Sequence, residues 1–569
     1  MDAEGGKAVA GPFRRLASWM RTHPLVVVAL VAGVVAVGHG IWIWTHREAG
    51  AIDPDEAGYI ATALRYQRLS TSDPLALPRA IGGTGFGPMV PVLSVPLLWI
   101  GPDDPRTALL TQPLMMVVTA VAAAGIARRL AGPWAAIAAG CAVVGMPTMV
   151  FASQTYWLGL GAAMFLTLGV WALLASERLT NRWLYAYGAC IGAMLLCRTM
   201  TLGYVPGALL AGAVLAGRSP RGWVGLAKAT GVAALVAVPW YVLERATIFG
   251  YLFSYGYGER AGLFGDGGLP ERIVKRLSIF VDGTGPPVVI VGILLVASAV
   301  VAAVRWDGWP ASTRSALAVA VVAGGGFAAL CSTTNNGVWF ELPVLCLLVP
   351  LVISLASRAP KPLVGGAVVL IVVAGILQLA SSWWIIPPER GSIPLVADRN
   401  RTSQFELGFA EYDLRFRPER RDESAEAAAE WWTLNQDVER YLRSLTDDDQ
   451  KVFTTSGNFE MFNTNTLQLS GELDGWTPLA RIPDTVRPAS EREEDLTPTV
   501  AGGSAVQGRQ VERILVIAIH DQHLFTPDAE VRAFDRQARD AGWEDVATFP
   551  IPGGGTVHVL RLPEGGGPD

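Results

Sequence analysis

Twelve long apolar runs, spaced along the first two thirds of the chain, constrain its fold more than any other feature. They are Pro24–Trp44, Phe86–Ile100, Thr107–Ala127, Trp134–Val150, Tyr156–Ala175, Leu184–Cys197, Leu202–Ala216, Val224–Leu243, Pro287–Val304, Ala316–Cys331, Val338–Ala356 and Leu363–Ile386. A helix of about 20 apolar residues is long enough to cross the hydrocarbon core of a bilayer. With 51% apolar and only 17% charged residues, the chain is too apolar for a soluble enzyme of 569 residues. We therefore predict a polytopic α-helical membrane protein.

The charges divide the chain into two parts. From Glu389 onward, 19 basic and 33 acidic residues give a net charge of −14, whereas the part before it has a net charge of +9. We predict a cytoplasmic segment over residues 1–23, a transmembrane domain over 24–386 and a soluble α/β domain over 387–569.

The acidic C-terminal part shows the alternation of helices and strands that is typical of an α/β domain. The predicted helices are Ser424–Leu445 and Pro527–Ala541. The predicted strands are Lys451–Thr455, Arg513–Ile519, Val546–Ile551 and Thr556–Leu562. The stretch Arg481–Gln510 is predicted to be a mobile loop. No glycine-rich phosphate motif follows a strand, so a nucleotide-binding domain is not indicated, and both acceptor recognition and scaffolding stay open as roles.

The basic residues predict how the chain is oriented in the membrane. Arg14, Arg15 and Arg21 precede the first run, which places the N-terminus in the cytoplasm. The run Phe86–Ile100 is short and holds three prolines, so we interpret it as re-entrant or interfacial. Without that crossing, the later basic links fall on the cytoplasmic side. This leaves eleven spans, with an extracytoplasmic C-terminal domain and two long outer loops over residues 45–106 and 244–286.

Other site chemistries are not indicated by the composition. The five cysteines all lie in apolar stretches, so neither a disulfide framework nor a cysteine-based zinc site is predicted. The six histidines form no known metal-binding signature. We expect a lipid bilayer around the chain and no nucleic-acid partner.

Three carboxylates stand just beyond the first predicted span. Asp53, Asp55 and Glu56 lie within four residues of one another, and Pro54 is a favourable first residue for a helix. Acidic residues at a helix start are common, so a capped surface helix is one interpretation. The other is a catalytic acid cluster at the membrane surface.

The residues Asp55-Glu56-Ala57-Gly58-Tyr59 match the pattern Asp-Glu-Ala-x-Tyr. This sequence resembles the GT-C superfamily of membrane glycosyltransferases, in the family 39-like branch of protein O-mannosyltransferases and the lipid A aminoarabinose transferase. A Gly-x-Pro-Pro-Leu element of that branch is partly matched by Gly87-Pro88-Met89-Val90-Pro91, where the second proline is displaced. The resemblance implies a GT-C-like fold of about eleven spans with juxtamembrane helices.

The resemblance also implies a reaction. Such enzymes move a sugar, with inversion, from a polyprenyl-phosphate donor to an acceptor hydroxyl outside the cytoplasm. A carboxylate must accept the proton of that hydroxyl, and Asp55 is the predicted base. Glu56 is predicted to orient the acceptor or to bind a divalent cation such as Mg²⁺ or Mn²⁺ with Asp55, while Asp53 is the second candidate for the base. No other cofactor is expected.

Basic residues on the predicted outer side are candidates for holding the donor phosphate. They are Arg198, Arg260, Lys275 and Arg276, the last two in an amphipathic helix over Leu269–Phe280. The alternatives are a snorkelling arginine for Arg198 and an interfacial anchor for the helix. The candidates for sugar or acceptor contacts are Tyr59, Asn335, Asn336 and Glu341.

The sequence predicts a multi-pass protein of a bacterial plasma membrane, with its active site outside. The abundance of Ala, Gly, Val and Arg indicates a GC-rich genome of the actinobacterial type, in which a cell-envelope glycan would be a natural acceptor. A lipid or a protein acceptor is also open. Two other classes stay open: a transporter or flippase of lipid or polysaccharide, and a catalytically silent assembly subunit. Carboxylates gathered at one membrane face favour the enzyme over the transporter.

Overall fold

The computed structural model describes most of the chain. The described residues are 5–47, 54–258, 261, 267–285, 289, 292–293, 297, 313–333, 335, 340–357, 359–383, 392–396, 405–408, 425–445, 452–456, 462–474, 479–481, 514–519, 528–540 and 542–561. They form two compact units. Unit 1 comprises Met1–Trp42, Thr84–Val90 and Gln112–Arg417, and unit 2 comprises Ile43–Gly83, Pro91–Thr111 and Pro418–Asp569. The predicted boundary at residue 387 stays a prediction.

Helices dominate unit 1. They are α1 (Gly5–Thr22), α2 (Pro24–His46, whose last turns belong to unit 2), α7 (Thr111–Ala131), α8 (Pro133–Val144), α9 (Pro147–Gln154), α10 (Leu158–Ala175), α11 (Trp183–Leu195), α12 (Val205–Ala216), α13 (Pro220–Leu243), α14 (Arg245–Tyr257), α15 (Leu269–Thr284), α16 (Thr313–Ser332), α17 (Leu342–Ala356) and α18 (Lys361–Ser382). A two-stranded antiparallel sheet follows, formed by β1 (Ser392–Val396) and β2 (Phe405–Gly408).

Long apolar helices make the chain a multi-pass membrane protein. Among the described residues, seven helices are long and apolar enough to cross a bilayer, or eight if α8 and α9 form one span. Large apolar side chains stay exposed on several of them, for example Leu235 at 77% and Val34 at 72%. In water such surfaces would be unfavourable, whereas lipid tails cover them. The total of eleven spans stays a prediction.

Several predicted spans differ from the observed helices. The run Trp134–Val150 is not one straight helix, because α8 and α9 are bent by 57° where Pro147 cannot continue the hydrogen-bonding pattern. The run Leu202–Ala216 begins inside a 3₁₀ helix over Thr199–Tyr204, and only its part from Val205 onward is α-helical. Within Phe86–Ile100 only the twelve residues Met89–Ile100 form a helix. The run Pro287–Val304 falls mostly outside the described residues.

Unit 2 combines part of the first loop with the C-terminal domain. Its loop helices are α3 (Pro54–Ser72), α4 (Leu77–Gly82), α5 (Met89–Ile100, whose first two residues belong to unit 1) and α6 (Pro105–Leu109). Its C-terminal elements are α19 (Ala425–Ser444), β3 (Val452–Ser456), α20 (Thr464–Leu473), β4 (Leu479–Arg481), β5 (Ile514–Ile519), α21 (Asp528–Asp540), β6 (Glu544–Pro550) and β7 (Thr556–Arg561). The predicted helices and strands of this domain are thus observed. The loop predicted over Arg481–Gln510 lies, apart from Arg481, outside the described residues.

The C-terminal strands form one sheet in the order β4-β3-β5-β7-β6. β3 is parallel to β4 and β5, whereas β7 is antiparallel to β5 and β6. Alternate residues of β5 face opposite sides, so Val516 packs in a core with α19 and α20, and Ile517 packs in a second core with α21. Helices therefore cover both faces of the sheet.

Helix α20 and strand β4 were not predicted from the sequence. Asn463 caps α20, since its Oδ1 accepts hydrogen bonds from the backbone N–H groups of Asn465 (2.8 Å) and Thr466 (3.1 Å). The Thr466 hydroxyl oxygen in turn accepts a hydrogen bond from Asn463 N at 2.9 Å. This reciprocal pattern is a capping box, and an Asn-x-x-Thr spacing was the signal available in the sequence.

Candidate active site

The acidic motif of unit 2 lies in the first turn of α3. The helix begins at Pro54, as predicted, and Asp55 and Glu56 occupy its first turn, where the helix dipole favours negative charge. The two neighbours differ in burial, because Asp55 is exposed to solvent and Glu56 is 1% exposed. Asp53 lies outside the described residues. Asp55 is therefore the carboxylate of this turn that a second molecule can reach.

Glu56 forms a buried ion pair with Arg47. Arg47 Nη2 donates a hydrogen bond to Glu56 Oε2 at 2.6 Å, and the two side chains are 3% and 0% exposed. Removing one member of such a pair leaves a charge buried without its partner, which costs several kcal/mol. The pair joins the start of α3 to the residue that follows α2. Arg47 was not predicted as a site residue, although a basic residue at the end of the first span was a usable signal.

Tyr59 completes the motif in unit 2. It lies one turn after Asp55 on α3 and is 8% exposed. Residues four apart share a helix face, so the ring of Tyr59 belongs to the same side of α3 as the Asp55 carboxylate. Ala57 and Ile60 are fully buried. The helix is thus packed around nearly its whole circumference and leaves Asp55 at its exposed end.

In unit 1, Arg198 is the central basic residue. Its guanidinium lies 4.1 Å from the ring centre of Phe340 and 5.8 Å from that of Trp157. Nη1 of Arg198 is buried and has no hydrogen-bond partner among the described residues. A guanidinium stacked on aromatic rings keeps donor capacity for an anion such as phosphate.

The turn before Arg198 is held by the partly matched glycine-proline element. Met89 N donates a hydrogen bond to Leu196 O at 3.0 Å. A Cβ atom at Gly87 would overlap the backbone carbonyl of Cys197, so this close approach requires glycine. The element therefore has a clear structural role in this chain, since it supports the backbone next to Arg198.

The predicted amphipathic helix is α15, and its arginines face the protein. Arg276 is fully buried and donates a hydrogen bond to the backbone carbonyl of Asn335. Arg272 donates to Ser332 O at 3.0 Å. The apolar residues Val274 and Leu277 are 66% and 49% exposed, as expected for a helix that contacts lipid. Arg272 and Arg276 thus tie α15 to the end of α16.

A buried polar cluster surrounds Tyr204. Its hydroxyl donates a hydrogen bond to Phe340 O at 2.7 Å, and Glu341, Arg276 and Arg198 are all close enough to interact electrostatically with it. Glu341 is fully buried. Burial lowers the pKa of Arg276, and the charge of Glu341 opposes this shift. Tyr204 was not predicted as a site residue, because it lies in an apolar run without any local signal.

The structure groups the predicted site residues by unit. Asp55, Glu56 and Tyr59 share α3 in unit 2, while Arg198, Arg276 and Glu341 surround Tyr204 in unit 1. Asn335 is buried and accepts the bond from Arg276, and Lys275 is half-buried on α15. Arg260 and Asn336 lie outside the described residues. Within the described ranges, no group of three or more His, Cys, Asp or Glu side chains could hold a metal ion.

The fold is similar to that of solved structures of other proteins. ArnT from Cupriavidus metallidurans in the apo state is 15% identical over 98% of this chain and 100% of that chain, with a TM-score of 0.56. The same protein bound to undecaprenyl phosphate is 14% identical over 96% and 99% of the two chains, also with a TM-score of 0.56. No protein-family profile matches the sequence, and no curated protein matches it. The chain therefore has the GT-C fold, as its acidic motif predicts.

Proposed function

We propose that this protein is a glycosyltransferase that moves a sugar from a polyprenyl-phosphate donor to an acceptor hydroxyl. The observation that carries the proposal is the pair of neighbouring carboxylates at the start of α3, where Glu56 is buried against Arg47 and Asp55 is exposed. The GT-C fold supports it. One structural neighbour is described as bound to undecaprenyl phosphate, which fits a lipid phosphate as part of the donor.

In the proposed reaction, Asp55 is the general base. It accepts the acceptor hydroxyl proton while the hydroxyl oxygen bonds to the anomeric carbon of the sugar. The bond between that carbon and the phosphate oxygen breaks, and its electron pair leaves with the polyprenyl phosphate. Attack opposite the leaving group inverts the anomeric configuration. Glu56 acts through Arg47 to hold the first turn of α3 and thereby the orientation of Asp55.

We assign the donor phosphate to Arg198. Its stacked guanidinium would neutralise the charge that develops on the leaving phosphate. Lys275 and Arg260 are further candidates for phosphate contacts. Arg276 already donates to Asn335 O, so we give it a positioning role for α15 rather than a direct contact.

Of the residues predicted to contact the sugar or acceptor, Tyr59, Asn335 and Glu341 are buried, so we propose no direct contact for them, and Asn336 stays the candidate. The acceptor would be a cell-envelope glycan, lipid or protein on the outer side of a bacterial plasma membrane, where the C-terminal domain would also lie. A divalent Mg²⁺ or Mn²⁺ ion is not part of the proposed reaction, because the described residues bring no third potential ligand to Asp55 and Glu56, and Glu56 Oε2 already bonds to Arg47.

The test is a transfer assay with the full chain in vesicles. Wild-type protein is mixed with radiolabelled sugars on undecaprenyl or decaprenyl phosphate and with a cell-envelope extract as acceptor. We expect consumption of one donor and release of free polyprenyl phosphate in equal amount. If labelled donor only changes leaflet without losing its sugar, the protein is a transporter. If no donor is consumed in any combination, the enzyme assignment is wrong.

A further inference from the structure

Helix α20 of the C-terminal α/β domain packs along α3, the helix that begins with Asp55. Both helices belong to unit 2. Near the first turn of α3, a Cβ atom at Gly58 would lie 3.1 Å from Asn465 Cγ and 3.2 Å from Asn465 Nδ2. The carboxamide of Asn465 therefore lies directly on the α3 backbone. Position 58 is one turn after Asp55, so this contact is adjacent to the proposed base.

A second contact joins the other ends of the same two helices. Arg68 Nη2 lies 2.6 Å from Glu472 Oε2, and the two side chains are 27% and 4% exposed. Because residue numbers increase from the first contact to the second on both helices, α3 and α20 run in the same direction. An ion pair that is largely shielded from water is far less screened than a surface pair. The Arg68–Glu472 pair therefore limits movement of α3 along the axis of α20.

Together the two contacts give Gly58 a structural role. The motif Asp-Glu-Ala-x-Tyr leaves this position variable, and here it is the point where α20 meets α3. A Cβ atom at this position would be tighter against Asn465 than an ordinary contact, so the Asn465 carboxamide or α3 would have to shift by a few tenths of an ångström. A displacement of about 1 Å in a catalytic group can reduce a rate by about a hundredfold, so this contact is well placed to control catalysis.

We propose that α20 is a positioning element for the catalytic helix, with Asn465 and Glu472 as its positioning residues. The C-terminal domain thereby sets the geometry of Asp55 as well as any role it has toward the acceptor. This inference rests on the proposed role of Asp55 as the base. Neither Asn465 nor Glu472 is assigned a contact with the donor or the acceptor.

The first experiment replaces Gly58. We expect Gly58→Ala to lower kcat for sugar transfer about tenfold or more, with KM for the polyprenyl-phosphate donor unchanged. The double variant Gly58→Ala/Asn465→Ala should recover to within about threefold of Asn465→Ala alone, because the smaller residue makes room for the methyl group. Gly231→Ala is the matched control, since a Cβ at that helical glycine meets open space.

The second experiment does not depend on activity. Hydrogen exchange of the α3 amides in the full-length protein should become faster in Glu472→Gln than in the wild type. The exchanged charge pair Arg68→Glu/Glu472→Arg should restore part of the protection. Arg65→Gln is the control, because Arg65 is exposed on the same helix.

The outcomes separate the two proposals. Full activity of Gly58→Ala, or a double variant as impaired as Gly58→Ala itself, would overturn the positioning role while the glycosyltransferase assignment stands. Wild-type protein that transfers no sugar defeats the proposed function. In that case the exchange experiment still decides whether α20 positions α3, and unchanged α3 protection in Glu472→Gln would show that it does not.

Discussion

The acidic region of unit 2 and the basic region of unit 1 divide their charges in the same way. On α3, Glu56 is buried in an ion pair with Arg47, while its neighbour Asp55 is exposed. In unit 1, Arg276 is buried and bonded to Asn335 O, while Arg198 is stacked on two aromatic rings. In each region a buried charge bonds to a neighbouring segment, and a second, less buried charge is the one that we propose contacts a ligand. The side chains with the proposed ligand roles are less buried than their partners, since Asp55 is exposed and Arg198 is half-buried.

The largest effect is expected at Asp55. Asp55→Asn preserves shape but cannot accept a proton, so kcat for sugar transfer should fall by about 10² to 10⁴. Its melting temperature should stay close to that of the wild type, because the side chain is exposed. The measurement is initial-rate transfer in vesicles beside thermal unfolding in detergent. Near-wild-type transfer by Asp55→Asn would contradict the proposal that Asp55 is the base while Glu56 has a structural role.

The main effect expected of Glu56→Gln is a loss of stability rather than a direct effect on the reaction. It leaves Arg47 buried opposite a neutral amide, which should lower the free energy of unfolding of unit 2 by about 3 kcal/mol. Thermal unfolding followed by tryptophan fluorescence measures this. The matched control is Asp104→Asn, since the Asp104–Arg106 pair at 2.7 Å is partly exposed and should matter much less. Equal melting temperatures for Glu56→Gln and the wild type would contradict the anchoring role.

A smaller, pH-dependent effect is expected at Glu439 on α19. This acid is buried like Glu56, but burial and the neighbouring Asp474 raise its pKa from 4.5 to about 7. The folded state then binds the proton more tightly than the unfolded state, so its stabilising contribution is complete at low pH and is lost as pH rises from about 4.5 through 7. Glu439→Gln should remove this loss.

Unfolding of wild type and Glu439→Gln at pH 5 and pH 8 tests this expectation. The wild type should lose about 1 to 3 kcal/mol more than the variant between the two pH values. Comparing the two proteins cancels the contributions of all other titrating groups. The same loss in both proteins would show that Glu439 does not titrate in this range.

Much of the fold was predictable because apolar runs and the motif around Asp55 are local patterns. The start of α3 at Pro54 and the strand Ile514–Ile519 agree with their sequence signals to within a residue. The partners Arg47, Tyr204 and Asn465 were missed for a different reason. Their roles depend on which distant segment packs against them, and no spacing in the sequence encodes that. The bend between α8 and α9 was missed although Pro147 was visible.

The most direct test of the separate roles proposed for Asp55 and Arg198 is a donor-binding titration. The full-length wild type, Asp55→Asn and Arg198→Gln are titrated with undecaprenyl phosphate in detergent, with Arg221→Gln as a control for an exposed arginine. We predict a Kd within about twofold of the wild type for Asp55→Asn and at least about tenfold weaker binding for Arg198→Gln. Unchanged binding by Arg198→Gln, or weakened binding by Asp55→Asn of similar size, would contradict the account.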